Sequence, residues 1–285
     1  MGLDVAIPDT ALRDCSDLRE KTIRIGRMGR AFAIFRVECV FVYTTGLLPT
    51  NQKHDSALLL KLLRFMDTPQ YLRRRVFPHS PTLKFAGLLP PLRTRSHPLS
   101  ADPSDLAVGT VRWGAQAKPG KVDLGLKELA DYPHRLQGKK PALFQVVKTT
   151  PRLRLEVVER EEIEEYYGFE AEKVDSLVTL LKDSVGVTRI ALSRHAPPYN
   201  KLEGEIKSTV AGTKSLLTIF GGPRHGVSEL LSKEKGPLKE HIDFWVNTVP
   251  QQGTETVRLE EAILTSLTLL NNAVGNLVAK PGYHQ

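Results

Sequence analysis

The sequence predicts an α/β domain interrupted by a small antiparallel β module, on three observations. Strand-like, helical and strand-like segments succeed one another within residues 4–43. Residues 105–160 then break into short β-rich runs separated by Gly, Pro or Lys turns. After about Asp175 the α/β alternation returns. Strands alternating with helices imply a parallel sheet, whereas closely spaced short strands imply a small sandwich or barrel.

The first strand is the apolar run Asp4–Pro8. A helix is predicted from Asp17 to about Phe35, opened by Asp17 and Glu20 in the spacing of a capping box. Its stripe comprises Leu18, Ile23, Ile25, Met28, Phe32 and Phe35. Cys39–Tyr43 is the second strand and Ser56–Met66 a second helix. Pro78, Pro81, Pro90, Pro91, Pro98 and Pro103 disfavour helix beyond it and set a domain junction near 95–105. Inside the module, strands are expected at Leu106–Trp113, Lys121–Leu126, Ala142–Lys148 and Arg152–Val158, with the acidic run Glu159–Glu165 as its exit. Further on, Ser176–Lys182, Val227–Leu231 and Val257–Asn272 read as helices, and Thr188–Leu192, Ser215–Phe220 and Asp243–Val249 as buried strands. The expected organisation is a first half over 1–100, an insert over 101–172 and a second half over 173–285.

The chain has 285 residues, 41% of them hydrophobic and 25% charged, enough for a real core without disulfide staples. Its two cysteines, Cys15 and Cys39, have no metal-site spacing, so no metal is expected and both thiols are read as reduced inside a cell. No run is long and apolar enough for a transmembrane helix, and the first residues lack a secretory layout. The net charge is +8, and all of that excess falls in residues 1–100; the remainder sums to zero. A basic first third fits a polyanion partner, and equally a solvated face with none.

Three loops following predicted strands rank first as sites, because ligands of α/β sheets bind beyond the carboxyl ends of strands. In Phe220–Ser228, Gly221 and Gly226 have the spacing of a phosphate loop, but Val227 stands where the cation belongs, which excludes a nucleoside triphosphatase. A tight strand-to-helix turn explains the same glycines. In Trp245–Arg258, capping chemistry accounts for Glu255, Glu260 and Glu261, though not for Gln251, Gln252 and Arg258 together. In Ser193–Tyr199, a lone His195 is read as structural, and no nucleophile elbow is present.

Six segments together resemble the SPOUT methyltransferases: AIP (6–8), DLREKTIRIGRMGRAFAIFRV (17–37), TPQYLRRRVFP (68–78), AGLLPPLRTRSHP (86–98), FGGPRHGVSELL (220–231) and DFWVNTVPQQGTETVRLEEAILTSL (243–267). More narrowly, the chain resembles the archaeal and eukaryotic subfamily with an inserted OB-fold, linked to N3-methylation of uridine in large-subunit ribosomal RNA. The resemblance implies a trefoil-knotted SPOUT domain interrupted by an OB-like barrel, although threaded chains are rare. It implies S-adenosylmethionine as cofactor, RNA as substrate and a homodimer, for which Ile263, Leu267, Leu270, Val274 and Leu277 offer a stripe that core packing explains as well. It implies a nuclear or nucleolar location in a eukaryote and a cytoplasmic one otherwise.

By position, the resemblance assigns Gly221, Gly222 and Arg224 to a first cofactor loop, and Asn247, Thr248, Val249, Gly253, Thr254 and Arg258 to a second. The amides of Thr248 and Val249 suit an adenine edge. It places Arg30 at the substrate, where a cation would stabilise charge on the uracil oxygens, with Arg36 and Arg27 as alternatives and a structural role for Arg30 at even weight. Arg73, Arg74, Arg75, Arg93 and Arg95 are the expected phosphate contacts. A competing reading keeps the fold without turnover, as an RNA-binding, ribosome-assembly or scaffold protein; cofactor binding discriminates the two.

Overall fold

The structure is a computed structural model and describes residues 2–136, 140–232 and 241–274. Five largely apolar runs and one charged segment, Glu170–Val174, build a six-stranded parallel sheet from β1 (Gly2–Pro8), β2 (Cys39–Tyr43), β8 (Glu170–Val174), β9 (Val187–Leu192), β10 (Ser215–Ile219) and β11 (Phe244–Val246). Their spatial order is β11-β9-β10-β1-β2-β8. A parallel sheet must be covered on both faces. Successive residues of β1 obey this: Val5 and Ile7 face one apolar cluster, Ala6 the other. The first cluster is closed by α1 (Leu18–Ile34), α2 (Asp55–Asp67), α5 (Tyr199–Val210) and α7 (Leu259–Val274). The second is closed by α4 (Leu177–Asp183) and α6 (Val227–Ser232). One turn, α3 (Arg73–Val76), follows α2.

Between β2 and β8 in sequence lies a separate antiparallel sheet of β3 (Val111–Lys118), β4 (Lys121–Asp123), β5 (Ala130–Asp131), β6 (Ala142–Lys148) and β7 (Arg154–Val158), ordered β5-β4-β3-β6-β7. Among the described residues β5 and β7 do not pair, so the sheet is open at those edges. Phe144, Val146, Val122 and Leu155 fill one face, and Leu143 with Ile163 and Tyr167 the other. Tyr71 ties the module to the α/β body by donating its hydroxyl to the Trp113 carbonyl at 2.7 Å.

Several expectations shift. The strand expected at Leu106–Trp113 starts at Val111, because Ala107–Thr110 is a turn with Gly109 at φ +90°. The last strand ends at Val246 rather than Val249, because Asn247 leaves the sheet to bond the chain after β9. Asp17 caps α1 through the Glu20 amide at 2.8 Å, but Glu20 reaches Ser16 instead of Asp17. Ile263, Leu267 and Leu270 are core residues packed under α1 and α5, which removes them as a free dimer stripe. Leu277 of the same stripe lies outside the described residues, as does the side chain of Val274.

Candidate functional site

The three loops singled out in the sequence leave the carboxyl ends of three adjacent strands, β10, β9 and β11. The chain at 193–198 runs beside the end of β11. Asn247 donates its amide to the Pro197 carbonyl and accepts from the Tyr199 amide, each at 2.9 Å, and its side-chain Nδ2 donates to the Arg194 carbonyl at 2.9 Å. Asn247 Oδ1 accepts the Val249 amide at 2.9 Å, so that amide is spent inside the loop and does not face an adenine edge. Thr248 ties the loop to α7 through Ser266 at 2.8 Å. Gln252 spans the next turn by donating to the carbonyls of Thr254 and Glu255. Asn247 and Gln252 therefore shape the loop from within.

The loop after β10 is held from below. Tyr43, at the end of β2, is fully buried and donates to the Phe220 carbonyl at 2.6 Å. Burial pushes its phenol far above the ordinary range, so it stays a neutral donor. The loop then closes on itself through the Gly222 amide and the His225 carbonyl. A side chain at Gly221 would meet the backbone of Gly226 and His225 at 2.9 Å, and one at Gly222 would meet Thr10 Oγ1 at 2.8 Å. Both glycines thus have structural causes. Gly253 has none: a Cβ there would meet nothing within 4 Å, and its backbone is not left-handed. Arg224 on the loop after β10, and Gly253, Thr254 and Arg258 on the loop after β11, are exposed.

Below the loops lies a buried ion cluster that sequence reasoning missed. Arg24 on α1 sits between Asp14, from the loop after β1, and Glu260 on the first turn of α7, with Nε 3.3 Å from Glu260 Oε2. Arg24 and Glu260 are each under 5% exposed, whereas Asp14 is partly open to solvent. Arg27 flanks Glu260 from the exposed side at 3.7 Å.

The remaining predicted residues are more scattered. Arg30 lies one turn beyond Arg27 and donates to the carbonyls of Pro91 and Leu92, binding the proline-rich segment to α1. Arg36, left-handed at φ +58°, bonds Asn271 Oδ1 at 3.1 Å, about 16 Å along α7 from its first turn. That separates Arg36 from the end of the loop 247–258. Arg73 is turned inward onto the carbonyls of Met66 and Thr68, Arg75 pairs with Asp123, and Arg95 with Glu165. Arg74 and Arg93 are exposed. His97 is buried, its pKa lowered by that burial, and its Nε2 lies 2.9 Å from the Met66 carbonyl, which fixes the Nε2-protonated tautomer. His195 is exposed beside Arg194. Burial pushes the Cys15 thiol up to about 12, so it is no nucleophile at neutral pH. Among the described residues no cluster could hold a metal ion, and no helix is long and apolar enough to cross a membrane.

Comparison with known proteins gives this geometry a chemical context. An uncharacterized protein of Haloarcula marismortui is 29% identical over 95% of this chain and 99% of its own length. A human protein named 28S rRNA (uridine-N(3))-methyltransferase is 27% identical over 94% of this chain and 77% of its own length. Its Drosophila melanogaster namesake is 26% identical over 97% of this chain and 63% of its own length. Residues 2–270 match the model of the family described as "Putative RNA methyltransferase", and the chain belongs to that family of RNA methyltransferases.

Proposed function

We propose that the protein transfers a methyl group from S-adenosylmethionine to N3 of a uridine in large-subunit ribosomal RNA. The observation that carries this reading is the convergence of 193–198, 220–226 and 247–258 at the ends of three adjacent parallel strands, with open space at Gly253. The names of the animal relatives support uridine N3 as the acceptor.

The residues fit such a cofactor. Gly253 leaves room for close approach, Gly221 and Gly222 allow a tight turn beside it, and Asn247, Thr248, Val249 and Thr254 set the loop backbone that would hold the adenosine part. Arg224 and Arg258 suit the carboxylate of the methionine part. When bound, the cofactor supplies an electrophilic methyl group on a sulfonium. The chain's own task is to seat the uracil in line with that methyl and to favour loss of the N3 proton. Arg30 serves the second need in this reading: one guanidinium nitrogen holds Pro91 and Leu92, and the others remain as donors to a uracil oxygen.

The same reading takes the passage of 193–198 beside β11 as part of a trefoil knot, residues 101–172 as an OB-like insert between the halves 1–100 and 173–285, and the working unit as a homodimer close to the ribosome or its precursors. Calorimetric titration with S-adenosylmethionine tests it. The wild type should bind one equivalent per subunit, and Gly253→Trp, which fills the open space without burying a clash, should abolish binding while leaving the melting temperature unchanged. Uridine N3-methylation of ribosomal RNA, present with the wild type and absent without it, completes the test. A well-folded protein that binds no cofactor with or without RNA would overturn the reading.

A further inference from the structure

Two large cavities lie away from the strand ends. One, of about 830 Å³, opens between the antiparallel module and the α/β body, and is lined by Asp105, Glu162, Glu164 and Glu165 along with Arg95 and Arg112. Its acids disfavour a phosphate backbone. The other, of about 800 Å³, lies between the end of α2 and the segment 74–86. Its wall includes Phe65, Phe77, Leu83, Arg74, His79 and Lys84, and none of its lining residues is acidic. Either volume would admit a nucleotide, but only the second combines aromatic rings with uncompensated positive charge.

That groove is also built. Phe65 and Phe77 meet edge to face at 5.3 Å, and the Arg73 guanidinium covers Phe65 at 4.8 Å. Lys61 pins the opposite rim by donating to Ser80 Oγ and Thr82 Oγ1 at 2.9 and 2.8 Å. Arg74, His79 and Lys84 stay exposed along the mouth. Residues 61–97 carry eight Lys and Arg against one acid, Asp67, which is neutralised by Arg160 at 3.0 Å.

We propose that this groove is a subsite for single-stranded RNA, in which an unpaired base stacks against Phe77 while Arg74 and Lys84 hold the flanking phosphates. It rests on the RNA methyltransferase reading and adds where the strand beside the target lies. Stacking on an aromatic ring tolerates any base and requires it to be unpaired, which commits the site to single strands over duplexes.

The test is fluorescence anisotropy of the full chain with a labelled oligouridylate of about 12 nucleotides, a length that spans such a site. Phe77→Ala should weaken binding about tenfold, as loss of one stacked base does. Arg74→Glu with Lys84→Glu, two exposed changes that spare the core, should weaken it at least as much, and 4-thiouridine in the probe should cross-link to a peptide within 74–86. S-adenosylmethionine binding should persist in every variant, so a failed cofactor titration counts against the proposed function alone. Wild-type affinity within twofold in both sets of variants, or no wild-type binding of the probe, would overturn the subsite. Equal affinity for a duplex of the same length, or a change of oligomeric state in the charge variants, would overturn it too, the last by showing a second copy in the groove.

Discussion

Arg24 is the side chain on which the most distant parts of the site depend. It is almost fully buried and joins the loop after β1, the middle of α1 and the first turn of α7, through Asp14 and Glu260. α7 follows directly on the loop 247–258, so Glu260 fixes where that loop ends. Arg24→Ala would leave the buried Glu260 carboxylate with only the exposed Arg27 beside it, and breaking one side of such a pair costs about 3–5 kcal/mol. Urea unfolding should show that loss, whereas Arg24→Met combined with Glu260→Met should recover most of it, because the desolvation penalty goes with the charges. A cluster of this kind is not legible in sequence. Arg24 stands in a helix rich in arginine, and nothing in its spacing separates it from Arg27, which is exposed, or Arg30, which holds a loop. The glycines were more legible, but for mixed reasons: Gly221 is required by its own turn, and Gly253 by nothing within the chain.

Apolar runs in the parallel sheet and its helices mark where β1, β2, α1, α2 and β10 lie to within about two residues, whereas the expected Leu106–Trp113 strand is displaced to Val111–Lys118 and segments without such runs go unmarked. Glu170–Val174 is the clearest case. Its alternating charges hide a strand that completes the parallel sheet beside β2. What holds it is tertiary: Asp67, at the end of α2, accepts the Phe169 amide at 2.9 Å and pairs with Arg160, while Arg64 donates to the Ala171 carbonyl. Helix α5 was missed because Pro197 and Pro198 read as a loop, although a proline just before a helix is a good start. The return into β8 passes through Gly168, at φ +90°, where a Cβ would lie 2.0 Å from Asp67 Oδ1. Gly168→Ala should therefore cost about 2–4 kcal/mol, from left-handed strain and displacement of Asp67 together. Gly120→Ala, at φ +76° in open space, isolates the strain and should cost only about 1–2 kcal/mol. Equal losses in denaturant melts would mean that Asp67 moves aside freely.

At the scale of the whole molecule the charge is divided as the chemistry is. The excess of +8 lies entirely in residues 1–100, and the remainder, 101–285, which carries the loops after β9, β10 and β11, sums to zero. Sequence made that division plain but could not say which cations are free. In the fold Arg73, Arg75 and Arg95 are engaged with carbonyls or carboxylates, while Arg74, Lys84 and Arg93 stand exposed. Free cations are the ones that displace counterions from a phosphate backbone. With about three to five of them in contact, the logarithm of RNA affinity should fall with the logarithm of salt at a slope of about −2 to −3.5. Binding of S-adenosylmethionine, a small ligand at the balanced half, should change little over the same series. The two titrations on one preparation separate the halves. A cofactor affinity as steep in salt as the RNA affinity would mean that the basic half reaches into the cofactor site, and a flat RNA response would mean that the exposed arginines do not touch phosphate.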